Sequence, residues 1–130
     1  MRNFIYILFL LAVLGCNKDD DTTLTTSEIS GEWSLIHVRG GLRGIDESFE
    51  KGMILWTFNE EAKTINVINK NFKEVYDVLP TGTYTYSIKV TKDSKELLVD
   101  SNNVGNFELT TDQFTIDKQF KDGFLVTFKR

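Results

Sequence analysis

Several residue types are scarce in this chain, and each scarcity narrows what it can do. One cysteine, Cys16, occurs in 130 residues, so no disulfide closes within a single chain and no cysteine-rich metal centre forms. The one histidine, His37, leaves a single imidazole for acid–base work, and no Gly-x-Ser-x-Gly elbow accompanies it. A serine, a histidine and an acid can still meet in space, so spacing alone does not exclude a triad. Fifteen basic residues against nineteen acidic give a net charge of −4 without a basic block, which removes support for nucleic-acid binding. "DSNNVG" at 100–105 starts like a calcium loop, but Val104 takes a ligand position and Thr111 stands where a bidentate glutamate is needed. The expectation is therefore no catalytic residue, no metal, no cofactor and no enzyme.

What the chain does have begins at its N-terminus. Arg2 precedes an apolar run of eleven residues, Phe4 to Leu14, and Gly15 stands directly before Cys16. That is the charged, apolar and small-residue order of a secretory signal. As a helix the run rises about 16 Å, short of the ~30 Å hydrocarbon core, so it is expected to be cleaved rather than to span. "VLGC" resembles the lipobox of bacterial lipoproteins, with Leu14 bulkier than the small residue usual there. The resemblance implies cleavage after residue 15 and acylation of Cys16, with palmitate among the chains. A thiolate is the nucleophile that thioether formation requires, and several acyl chains anchor stably where one is marginal.

Residues 16–28 then form an acidic tether, too polar to bury its own surface. "CNKDDD" resembles the signal that displays lipoproteins on the outer face of the outer membrane in some Gram-negative bacteria. Lys18, Asp19, Asp20 and Asp21 are its candidate residues. The plainer alternative is that the aspartates keep the tether hydrated and off an anionic membrane. Without residues 1–15 the net charge becomes about −5, because only Arg2 is lost.

Residues 29–130 suffice for one domain. Period-2 alternation in "TYTYSIKV" puts Tyr84, Tyr86, Ile88 and Val90 on one face. Strands are expected near 32–38, 53–59, 63–69, 83–90, 95–99, 104–109, 113–117 and 123–129. Eight short antiparallel strands suit an all-β up-and-down barrel, with a seven- or eight-stranded β-sandwich as the alternative. Both long connections, 39–52 and 70–82, fall at one end, so that end is the mouth and the other a plain base. Closure then makes the first and last strands neighbours, bringing Trp33 near Arg130 and turning Lys129 outward.

"GEWSLIHV", with "ILWTFNE", "GTYTYSIKV", "LLVD" and the closing "DGFLVTFKR", resembles small lipocalin-like domains of bacterial surface lipoproteins. The resemblance covers 29–130 and implies a lipocalin-like barrel. Gly31, Trp33 and Arg130 would be its structural residues, the last two stacked as ring and cation. The chain ends without the C-terminal helix of longer lipocalins.

Two uses of the barrel remain open. In the first, a small apolar or amphipathic ligand enters past the flap 39–52, whose Gly40, Gly41 and Gly44 make the backbone permissive. His37, on the parity of Trp33 and Leu35, then points inward; Arg39 and Arg43 supply polar contacts, and Trp56, Tyr84 and Tyr86 apolar ones. In the second, the aromatic residues fill the interior, and the molecule is a structural or protein-interaction lipoprotein with Met53, Leu55 and Leu125 on its outer face. The number of large residues favours a mostly filled interior with a shallow cavity at the mouth. Residues 71–79 read either as a short lid helix capped by Asn71 or as an extended excursion. The expected location is the outer membrane, lipid-anchored and exposed at the cell surface, with the membrane as partner through the anchor.

Overall fold

The computed structural model describes residues 28–130. The expected signal peptide, Cys16 and the acidic run Lys18 to Asp21 lie outside the described residues. The strands are β1 (Gly31–Gly40), β2 (Ile45–Ser48), β3 (Ile54–Asn59), β4 (Thr64–Asn69), β5 (Gly82–Val90), β6 (Lys95–Val99), β7 (Asn102–Leu109), β8 (Gln113–Asp117) and β9 (Phe124–Lys129). All pairings are antiparallel, in the order β2-β1-β3-β4-β5-β6-β7-β8-β9, and β1 also pairs with β9. One edge of β1 carries β3 along Gly31–Ser34 and then β2 along His37–Gly40. β2 and β3 thus share a single place in the ring, interrupted at 49–53. The result is a closed eight-strand up-and-down barrel, and the sandwich alternative is excluded.

The expected strands agree with the observed ones to within two residues at each end, and β2 is the addition. It lies inside the connection expected to be a flap. "IDES" has little strand character of its own, and its extended form comes from pairing with the upper part of β1.

The base is sealed by its own backbone and side chains. Arg130 Cζ lies 4.1 Å over the Trp33 ring, a contact that contributes ~0.5 to 2 kcal/mol. Its Nη2 donates to the carbonyls of Glu28 (2.6 Å) and Ser30 (3.0 Å), while Trp33 Nε1 donates to Ile29 O at 2.8 Å. All three carbonyls of 28–30 are thereby satisfied, and Ile29 is fully buried beneath them. Above this seal, Phe114 is the hub of a ring cluster. It stacks on Phe128 (centroids 4.2 Å), meets Trp33 (4.9 Å) and Phe58 (5.7 Å) edge-on, and touches Phe107 (5.6 Å). Tyr86 and Trp56 join through Phe58 and Phe128 at 5.1 and 4.6 Å.

Candidate functional site

On most barrel strands the buried side chains nearest the mouth are smaller than those nearest the base. From base to mouth, β1 reads Trp33, Leu35, Val38; β3 Phe58, Trp56, Ile54; and β4 Ile65, Val67. On β5 Tyr86 and Tyr84 give way to Gly82, and on β6 Leu97 to Val99. β7 passes from Phe107 to Gly105, β8 from Phe114 to Ile116, and β9 from Phe128 to Val126, with Phe124 packed partly against the core at its mouth end. The base half is packed by rings, whereas the mouth half is walled mainly by aliphatic groups, with Tyr84 and Phe124 at its edge. Connections supply the missing volume: Phe49 is buried in the core, and Val75, Val78 and Leu79 pack against it from the 70–81 segment.

That segment has neither helix nor strand. Asn69 Oδ1 accepts the Asn71 N–H and Asn71 Oδ1 accepts the Lys73 N–H, two successive Asx turns that give the backbone an alternative to a helix. The Asp77 carboxylate gathers the side-chain amides of Asn69 (2.8 Å) and Asn71 (3.1 Å), closing the loop on itself. The lid-helix expectation for 71–79 fails for this reason. Val78 has φ +74°, a left-handed conformation that a β-branched residue rarely adopts, at a cost of about 1–3 kcal/mol.

The loop then crosses the mouth. It springs from β4 and β5, yet Tyr76 stacks on Phe124 of β9 (4.1 Å, 16°) and Lys73 Nζ meets Glu47 Oε1 of β2 at 2.5 Å. Burial, and then the neighbouring Asp77 charge, hold the Tyr76 phenol above its ordinary pKa.

The glycine-rich first connection behaves in the opposite way. A Cβ on Gly40 would stand 2.7 Å from Gly123 O, and one on Gly41 2.9 Å from the Phe124 ring, while Gly41 N–H donates to Gly123 O at 3.0 Å. These glycines permit a close approach that fastens the β1–β2 hairpin to the 118–123 turn. The expected flap is a pinned rim.

The six expected ligand residues separate into two groups. Pairing shifts register between Leu35 and His37, so a bulge at Ile36 turns Val38 inward and His37 outward. There His37 Nε2 meets Asp46 Oδ1 at 2.5 Å. Arg39 and Arg43 are exposed on the same hairpin. The inward expectation for His37 is thus corrected by one extra residue that reverses the alternation. Trp56, Tyr84 and Tyr86 do lie on inward positions: Trp56 and Tyr86 are buried, and Tyr84 packs against the core with its hydroxyl donating to Pro80 O at 2.7 Å. Of the outer-face candidates, Met53 packs partly against the core, while Leu55 and Leu125 are half-buried.

Two buried polar atoms in the ring cluster have no hydrogen-bond partner among the described residues: Trp56 Nε1 and the Tyr86 hydroxyl. Burial, reinforced by the Glu60 charge, raises the Tyr86 pKa. Sequence reasoning chose both residues as apolar lining and missed their unpaired polar ends. It also missed Val75, Val78 and Leu79 as interior groups. Their signal was an apolar content too high for a solvated loop.

An open groove of about 650 Å³ lies at the other end, between the 91–94 turn and Asn106–Thr110. It arises because β7 runs past the start of β6, and a solvent-open trough of turn backbone does not enclose a small molecule. The mouth is the better candidate. Among the described residues no group of three or more His, Cys, Asp or Glu is placed to hold a metal ion, and no helix is long and apolar enough to cross a membrane.

No protein-family model matches the chain, and no curated protein matches it in sequence. Among solved structures it is similar to a lipocalin-like protein from Bacteroides uniformis ATCC 8492, with TM-score 0.48 and 10% identity, covering 79% of this chain and 98% of that one. The fold assignment rests on the strand pairing: eight positions, up-and-down order and closure of first strand on last are the features of a lipocalin-like barrel.

Proposed function

We propose that this chain is a non-enzymatic lipoprotein of the outer membrane, held by lipid on Cys16 and displayed at the cell surface, whose barrel binds a small apolar or amphipathic molecule through its mouth. The observation that carries the binding reading is the unpartnered polar atom Trp56 Nε1 inside an otherwise apolar barrel; the second such atom, Tyr86 Oη, lies deeper, in the ring cluster beside the 60–63 turn. A buried polar group without a partner costs about 1–3 kcal/mol, and a ligand acceptor atom removes that cost. The ligand class is then an apolar body with a carbonyl or carboxylate: fatty acids, haem-like pigments and small aromatic metabolites.

Native mass spectrometry of the protein purified from its own host tests this reading by searching for a co-purifying molecule, and a titration followed by tryptophan fluorescence measures binding. Saturable binding supports the reading; its absence against every class named rejects it. The anchor is tested separately. Cys16→Ser should abolish partitioning into the detergent phase, and unchanged partitioning rejects the lipid assignment. Replacing Asp19, Asp20 and Asp21 with alanine should preserve lipidation but reduce cleavage by external protease in whole cells.

A second reading rests on a different observation. Leu42, Phe72 and Phe120 project from three mouth connections with exposures of 89, 82 and 62%. Apolar tips gathered at one end suit a surface protein partner. Substituting all three with serine should abolish capture of such a partner and leave small-molecule binding intact.

A further inference from the structure

We infer that the 70–81 connection is a displaceable plug, and that the ligand occupies the space Val75, Val78 and Leu79 now fill. This rests on the binding reading above and adds to it where the ligand sits and what must leave first.

Three observations lead to it. Most strands end on smaller buried side chains at the mouth than at the base, and the loop's own aliphatic side chains pack against the core there. The loop's backbone is organised by Asn71 and Asp77 and is hinged on Asn69, the last residue of β4, whose side-chain amide donates to Asp77 and to Leu79 O. These are side-chain contacts outside the strand ladder, so the loop beyond Asn69 can swing without undoing the barrel's strand pairing. Its far side is held by the Tyr76–Phe124 stack and the Lys73–Glu47 pair, both close to solvent, while the Val78 backbone is strained in the seated position. The other long connection is pinned through Gly40 and Gly41, so the two mouth connections divide the roles of fixed rim and moving part.

The ligand part that enters is apolar and has the size of what it replaces, two valine side chains and a leucine together. Its polar end faces the rim or reaches down to Trp56 Nε1. A long unbranched chain threading deep into the base does not fit, because the seven-ring cluster already fills it.

Hydrogen exchange of the whole chain tests this with and without 1-anilinonaphthalene-8-sulfonate as the probe. In the free protein, Tyr76→Ala should raise exchange across 70–81 roughly two- to tenfold, the effect of losing one aromatic stack, and leave β4 and β5 unchanged. Loop exchange that does not respond, or that rises only together with the flanking strands, overturns the plug as a separate moving unit. With the probe bound, a displaced plug exchanges faster than in the free protein, whereas a lid clamped over a ligand exchanges more slowly. Probe binding with unchanged or slowed loop exchange overturns the inference and leaves the binding reading standing. If the parent chain does not bind the probe, the Val78→Ala/Leu79→Ala double variant, which empties the space, should bind it. Failure of that variant to bind overturns the inference as well.

Discussion

The two ends of the barrel solve closure differently. At the base, large rings from the strands meet one another, and Arg130, Ile29 and the carbonyls of 28–30 finish the seal with every named polar group paired. At the mouth, the strands supply mainly valine, isoleucine and glycine, with Tyr84 and Phe124 partly buried, and a loop completes the packing from above. An end closed by strand side chains opens only when the barrel unfolds. One closed by a connection opens locally, because its contacts are few and near solvent. The base accordingly reads as the source of stability, and the mouth is where the binding proposal places the ligand.

The largest expected effect separates them on stability. Phe114→Ala removes the hub of the base cluster and should lower unfolding free energy by about 3–5 kcal/mol in denaturant titration. Val78→Ala with Leu79→Ala, in the plug, should cost well under half of that. Equal losses would erase the distinction between the ends.

Arg130→Met comes next. It removes the solvent-exposed hydrogen bonds to the carbonyls of Glu28 and Ser30 and the cation from Trp33, so a loss of about 0.5–2 kcal/mol is expected, with no change in probe binding at the mouth. A change in binding would show that the ends communicate.

Tyr86→Phe has the opposite sign. Removing an unpartnered buried hydroxyl should stabilise the free protein by about 1 kcal/mol at neutral pH. The parent Tyr86 has its folded pKa raised above the unfolded value of 10.0, so the unfolded state releases its proton first as pH rises. Stability from this group is full below pH 10 and is lost as pH climbs through the folded pKa. The variant should lack that part of the alkaline loss, read from thermal melts at a series of pH values. If the hydroxyl serves a ligand, the same variant binds more weakly while melting higher. The smallest effect is Tyr76→Ala, worth about 1 kcal/mol or less in global stability because the stack closes a loop and not the core.

Much of the frame was legible beforehand because it depends on local alternation and on topology. Period-2 patterns located the barrel strands, and closure of first strand on last placed Arg130 against Trp33 without any contact in sequence. What was not legible depends on single-residue irregularities and on distances around the ring. Nothing in "SLIHV" announces the bulge at Ile36, yet it alone turns His37 outward. β2 is a strand because β1 extends beside it, not because "IDES" favours one. Gly40 and Gly41 suggested mobility, but glycine serves close approach as well as freedom, and only the position of Gly123 and Phe124 decides between them. The reach of Tyr76 to Phe124 depends on how far round the barrel β9 lies from β4, which no local pattern encodes.

The most direct measurement of the central claim is a titration with 1-anilinonaphthalene-8-sulfonate of the parent chain and of Val126→Phe, which fills the mouth half from the wall at a cost of about 1–3 kcal/mol. Circular dichroism confirms that both are folded. Saturable binding of one probe per parent chain, abolished in the variant, is the predicted result. Equal binding by both would place the site outside the mouth half and contradict the account.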